Sequence, residues 1–140
     1  MRMGKVKYLV ATHGDLAKGF VETLGMIAGD GYDVSTYCMP KDKSGDDVER
    51  ELRELMSDWQ EHRWVVFTDL MGGSVNNTLT AMLLGGMEFE LITGTNLALL
   101  IGVVMSAEVD PGAAIREAMD EARGGIIHIN EILRERRQKA

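Results

Sequence analysis

A histidine, an aspartate and a serine, each close behind an apolar run, are the residues of this chain whose types and spacing can do chemistry. Tyr8-Leu9-Val10-Ala11 runs into Thr12-His13-Gly14. Trp64-Val65-Val66-Phe67-Thr68 runs into Asp69-Leu70-Met71-Gly72-Gly73-Ser74, and residues 89–93 run into Gly94-Thr95-Asn96. Neutral imidazole is a competent nucleophile at one ring nitrogen when the other is protonated and oriented. Asp69 can accept that second N–H, fixing the tautomer and stabilising the charge that develops on the ring, as an aspartate does behind a catalytic histidine. Gly72 and Gly73 let backbone approach a phosphoryl oxygen closely, and Ser74 adds a hydroxyl donor near a helix start. Thr12 either donates a further bond or shapes the turn. Asn96 reads as a helix cap in preference to a ligand contact.

Taken singly, each of these residues has a commoner structural role: a strand-end histidine, a capping carboxylate, an ordinary turn. Their joint placement carries the reading, and that placement depends on the elements around them. Apolar residues on consecutive positions from Val6 to Ala11 predict a strand buried on both faces. Leu16, Phe20, Val21, Leu24, Ile27 and Ala28 then recur at helical spacing. A weaker strand from Asp33 to Met39 is followed by a helix opened by Ser44 and Asp47, with Val48, Leu52, Leu55, Met56 and Trp59 on its inner face. The central strand ending in Asp69 leads to a helical face of Val75, Leu79, Met82 and Leu83. A fourth strand precedes a helix from Leu97 to Met105, apolar nearly all round and suited to burial, including against another subunit. Asp110-Pro111 opens a further helix, Pro being at home in a first turn. Ile126-Ile127-His128-Ile129 reads as a short β segment before a charged tail over residues 130–140.

This alternation predicts an α/β fold: one doubly wound, mainly parallel sheet with helices on both faces and a short C-terminal edge strand, all in a single domain over residues 1–140. In such a sheet the loops at the carboxyl ends of the strands gather along one edge, where ligands bind. Each of the three polar loops precedes a helix whose first N–H groups favour anions, so a phosphoryl group is the natural guest.

Composition narrows the function further. A formal charge of −7 over 140 residues argues against a general nucleic-acid binder, which needs a basic face. No apolar run approaches the roughly 18 to 20 residues of a membrane span, and the N-terminus lacks a signal-like apolar core. The single cysteine, Cys38, excludes an internal disulfide and reads as a small buried hydrophobe; no metal cluster and no cofactor are expected. These features point to a cytoplasmic protein. Ten methionines soften a core or an interface without supplying chemistry. His62 lies in a polar connector and reads as a surface residue; His128 reads as structural within the late strand.

Thr12-His13-Gly14 paired with Phe67-Thr68-Asp69-Leu70-Met71-Gly72-Gly73-Ser74 and Asn77, followed by Gly94-Thr95-Asn96-Leu97 and Asp110-Pro111, resembles the EIIA domain of the mannose-fructose-sorbose class of the phosphoenolpyruvate-dependent sugar phosphotransferase system (PTS). The resemblance spans roughly residues 5 to 130. It implies that His13 accepts a phosphoryl group from the phosphocarrier HPr and passes it to an EIIB domain, which phosphorylates sugar during transport through the membrane components EIIC and EIID. It implies that Asp69 hydrogen-bonds His13 and that Ser74 lies beside it. It also implies a homodimer in which the C-terminal strand pairs with the other subunit. The chain departs from the family in having Val75 and Asn76 where Pro and an aromatic residue are frequent, a change that borders the docking surface. No EIIB domain follows in this sequence, so a stand-alone EIIA or a piece of a longer protein is expected, with the tail as terminus or linker start.

Two other functions compete. A histidine-type phosphatase also uses a strand-end histidine before a glycine, but wants Arg where this chain has Thr12, and needs further Arg and His residues as a clamp. A regulatory module would use phospho-His13 as a signal without a transport role. A dihydroxyacetone-phosphorylating relative is disfavoured by the Asp-x-x-Gly-Gly-Ser loop.

Overall fold

The computed structural model describes residues 4–139. Four strands, β1 (Val6–His13), β2 (Val34–Met39), β3 (Arg63–Thr68) and β4 (Glu90–Ile92), alternate with α1 (Leu16–Ala28), α2 (Gly45–Leu55) and α3 (Ser74–Leu84). After β4 come α4 (Leu97–Val104), α5 (Pro111–Gly124) and α6 (Ile129–Lys139). All strand pairings are parallel, in the order β2-β1-β3-β4. The chain therefore runs from β1 to one side, then crosses back to lay β3 on the other. Such a reversal opens a crevice at the carboxyl ends of the two central strands.

Alternation along the strands divides the core into two layers, because successive side chains of a strand point to opposite faces. Val10, Val65 and Phe67 pack with Leu24 of α1, with Leu100 and Val103 of α4, and with Ile115 and Ala118 of α5. Leu9, Ala11, Trp64 and Val66 pack on the other face with Leu52 of α2 and with Leu79 and Met82 of α3. Each such fully buried large side chain contributes about 1.5–3 kcal/mol of transfer free energy, so the two layers fix the central strands firmly. Helix α4, apolar almost throughout, has its inner face covered within this chain by α5: Leu99, Leu100, Val103 and Val104 are buried. No helix of the described residues is long and apolar enough to cross a membrane.

The C-terminal region differs from the expectation. Ile126-Ile127-His128 form no strand, and Ile129 opens α6, which extends through the charged tail and buries none of its residues. A strand needs a neighbouring edge to satisfy its backbone, whereas a helix closes its own hydrogen bonds. In the single chain this segment pairs with no edge, and Glu131, Leu133, Arg134, Glu135, Arg136, Gln138 and Lys139 are good helix formers. The helix starts where the Glu131 N–H bonds the His128 carbonyl at 3.0 Å. His128 accordingly lies exposed at the helix start, 3.5 Å from Glu131, and not within a strand.

Candidate functional site

The crevice between β1 and β3 holds His13, the last residue of β1, and Asp69, the first residue after β3. Strand alternation decides how residues 12 and 13 differ. Thr12 continues the Val10 face toward α1, and His13 continues the Leu9 and Ala11 face toward α3. Thr12 is fully buried, and its Oγ1 accepts the Ala17 N–H at 2.8 Å. It thus shapes the turn by holding the first turn of α1, whose N-cap residue Asp15 makes no side-chain cap bond. Gly14 follows with φ +54°, a conformation that disfavours a side chain, and donates its N–H to the Met39 carbonyl at 2.9 Å.

The His13 ring is clamped from two sides. Asp69 Oδ2 accepts the His13 backbone N–H at 2.9 Å and stands 2.8 Å from ring Nδ1, while Oδ1 accepts the Leu70 N–H at 2.9 Å. Burial pushes the Asp69 carboxyl up, but the backbone and ring N–H groups of His13 and the Leu70 N–H outweigh it and hold the carboxyl below its ordinary value. An ionised Asp69 fixes the proton on Nδ1 and leaves Nε2 as the lone-pair nitrogen. On the other side Gly73 closes in: a Cβ there would lie 2.9 Å from His13 Cε1 and 3.1 Å from the Leu70 carbonyl. Only glycine fits against the ring. Gly72, at φ +81°, makes the turn, and its carbonyl accepts from Asn77 Nδ2 at 3.1 Å.

Ser74 Oγ lies 3.3 Å from Nε2, so the hydroxyl stands at the reactive nitrogen. The His13 side chain is 41% exposed, against 10% for Asp69. The imidazole faces solvent while the carboxylate held against it is shielded. The three helix starts behind the loops are not equivalent. Thr12 satisfies an N–H of α1, and Asn96 Oδ1 caps α4 by accepting the Leu99 N–H at 2.8 Å. The N-cap of α3 is Gly73, which has no side chain to offer. Its first N–H groups have no side-chain cap and lie beside Ser74 and His13, at an end that favours an anion. Asn96 makes no hydrogen bond to His13, Asp69 or Ser74, while its loop is tied to the end of β3 by the Thr95 N–H, which bonds the Thr68 carbonyl at 3.1 Å.

Two features lay beyond the sequence reading. Asn76, where the family often has an aromatic residue, is buried and accepts the Thr68 hydroxyl at 2.8 Å, tying α3 to the end of β3. Met39 reaches the site from the end of β2, with Sδ 3.5 Å from Ser74 Oγ. A polar residue two places into a predicted helix, after a glycine turn, was the available signal for Asn76. Nothing local marks Met39. His62, in the connector before β3, is half-exposed near Asp58, and Cys38 packs half-buried against the core.

A parallel sheet presenting a carboxylate-held histidine at its switch point defines a class: α/β proteins with an exposed, oriented imidazole. The family profile described as "PTS system fructose IIA component" (EIIA-man) matches residues 7–121. The chain belongs to that family. It is 25% identical over 99 residues to the sorbose-specific EIIA component of the PTS from Klebsiella pneumoniae, covering 71% of this chain and 73% of that one. A crystal structure of a putative phosphoenolpyruvate-dependent sugar PTS permease from Klebsiella pneumoniae subsp. pneumoniae superposes with a TM-score of 0.81 at 30% identity, over 92% of this chain and 94% of that chain. The mannose/sorbose-specific IIA subunit from Enterococcus faecalis shares the fold, with a TM-score of 0.80 at 20% identity over 89% and 95% of the two chains.

Proposed function

We propose that this chain is a phosphoryl carrier of the sugar PTS: His13 Nε2 accepts a phosphoryl group from phospho-HPr and delivers it to an EIIB domain. The observation that carries the reading is the fixed ring, with Nδ1 held on Asp69 at 2.8 Å and Nε2 turned outward to Ser74. In the acceptance step the Nε2 lone pair forms a bond to phosphorus as the bond from phosphorus to the donor breaks. The Nδ1 proton stays in place, and the positive charge that develops on the ring is offset by Asp69. Ser74 Oγ–H and the first N–H groups of α3 donate to the phosphoryl oxygens. Delivery to EIIB is the reverse displacement. Thr12, buried under α1, cannot serve as the phosphate clamp that a histidine-type phosphatase places before its histidine.

The partners that follow are HPr and EIIB, with membrane components reached only through EIIB, and the setting is the cytoplasm. The exposed Leu16, at the start of α1, and Leu70 and Met71, on the loop that follows Asp69, suit a protein partner. We also propose a homodimer, with residues 126–129 taking strand form against the partner. The test is incubation with phosphoenolpyruvate, enzyme I and HPr. Acid-labile, base-stable phosphate is expected on the wild type and not on His13→Ala. An unlabelled wild type, or equal labelling of the variant, overturns the proposal.

A further inference from the structure

We propose that Met39 is a positioning residue for phosphoryl acceptance: its thioether gives the Ser74 hydroxyl a second acceptor, so that the Nε2 lone pair of His13 is uncovered for part of the time. The inference rests on the phosphotransfer reading of His13. Ser74 Oγ stands between two acceptors, 3.3 Å from Nε2 and 3.5 Å from Met39 Sδ. A hydroxyl has one hydrogen to give. With Nδ1–H committed to Asp69, Nε2 is an acceptor, and a Ser74 O–H aimed at it covers the electron pair that must attack phosphorus. Turned to sulfur, the same O–H leaves that pair open. A thioether accepts more weakly than an imidazole nitrogen, so the hydroxyl is shared between the two and an arriving phosphoryl oxygen takes it from either.

Met39 is held where it can do this. It ends β2 in register with His13, and its carbonyl receives the Gly14 N–H at 2.9 Å. Its stem packs against the layer formed with α2 and α3. The backbone tie sets residue 39 beside the histidine whatever its side chain. An aliphatic residue there would fill the space and accept nothing.

Met39→Leu preserves volume and removes the acceptor. In the full-length, unphosphorylated protein, the Nε2 nitrogen-15 resonance of His13 is expected to move upfield in Met39→Leu, as it accepts the redirected hydroxyl. In the Ser74→Ala background the same substitution should leave the resonance in place. Phosphoryl acceptance from HPr should slow roughly threefold, the effect of one weak neutral hydrogen bond, in kcat with KM unchanged. That loss, too, should vanish without Ser74. A resonance unchanged in Met39→Leu, or changes that persist in Ser74→Ala, overturn the proposal. The resonances need no phosphoryl donor, so they decide it separately from labelling of the wild type, on which the carrier reading depends.

Discussion

Asp69 makes three hydrogen bonds through two oxygens, and two of them go to one residue, the backbone and ring of His13. Removing its charge while keeping its shape tests whether this matters to the reaction. A hydrogen bond to a charged group is worth about 1.5–3 kcal/mol, so Asp69→Asn should slow phosphoryl acceptance by roughly tenfold to a hundredfold while the protein stays folded. Rapid-quench labelling from phospho-HPr measures this; an unchanged rate would leave Asp69 a structural residue. The same carboxylate has a pH signature. Its folded value is held below that of the unfolded chain, about 3.9, so the native state binds fewer protons than the unfolded state between the two. The stability it adds is complete above the unfolded value and disappears as pH falls through the folded one. The difference in urea unfolding between wild type and Asp69→Asn should therefore shrink in acid, as pH falls below about 4 through the Asp69 range.

Among the elements, β1 assigns opposite duties to neighbouring residues by strand alternation alone. Thr12 turns inward to hold α1, and His13 turns toward α3. Replacing Thr12 with Val keeps the shape and removes the acceptor for the Ala17 N–H, which becomes a buried donor without a partner. Chemical denaturation should show a loss of about 1–2 kcal/mol, with labelling of His13 by HPr unaffected. Slowed labelling in a stably folded Thr12→Val protein would instead place Thr12 at the phosphoryl group. The period of two was legible in the sequence, and it predicts this division once β1 is known to be buried on both faces. Which helix covers which face was not, because that depends on the crossover from β2 to β3.

For the whole molecule, the C-terminal segment is where one chain and an assembly part company. Helix α6 buries none of its own residues, and Ile126, Ile127, Ile129 and Leu133 remain exposed at its start. Removing residues 126–140 should therefore leave the rest of the chain folded, its far-UV circular dichroism losing only the contribution of α6. Under the dimer proposal, sedimentation should show the full chain as a dimer at micromolar concentration and the truncated chain as a monomer. A full-length monomer would rule out the exchanged strand.

Local periodicity and loop composition determined the strands and helices up to about residue 124 and singled out His13 with Asp69 as its partner; the place of Ser74 beside the ring came from the family resemblance. The elements, and His13 with Asp69, follow from patterns that the chain writes into contiguous residues: apolar runs, helical spacing, glycine turns and caps. Tertiary structure alone decided three further points. It set the third loop against the end of β3 through the Thr95 N–H and the Thr68 carbonyl, with Asn96 capping α4 as its sequence suggests. It made the last segment helical, because this segment pairs with neither open edge of the sheet in one chain and a helix closes its own backbone hydrogen bonds. And it brought Met39 to Ser74 across 35 residues of sequence, a contact set by the parallel register of β1 and β2 and by nothing in either segment on its own.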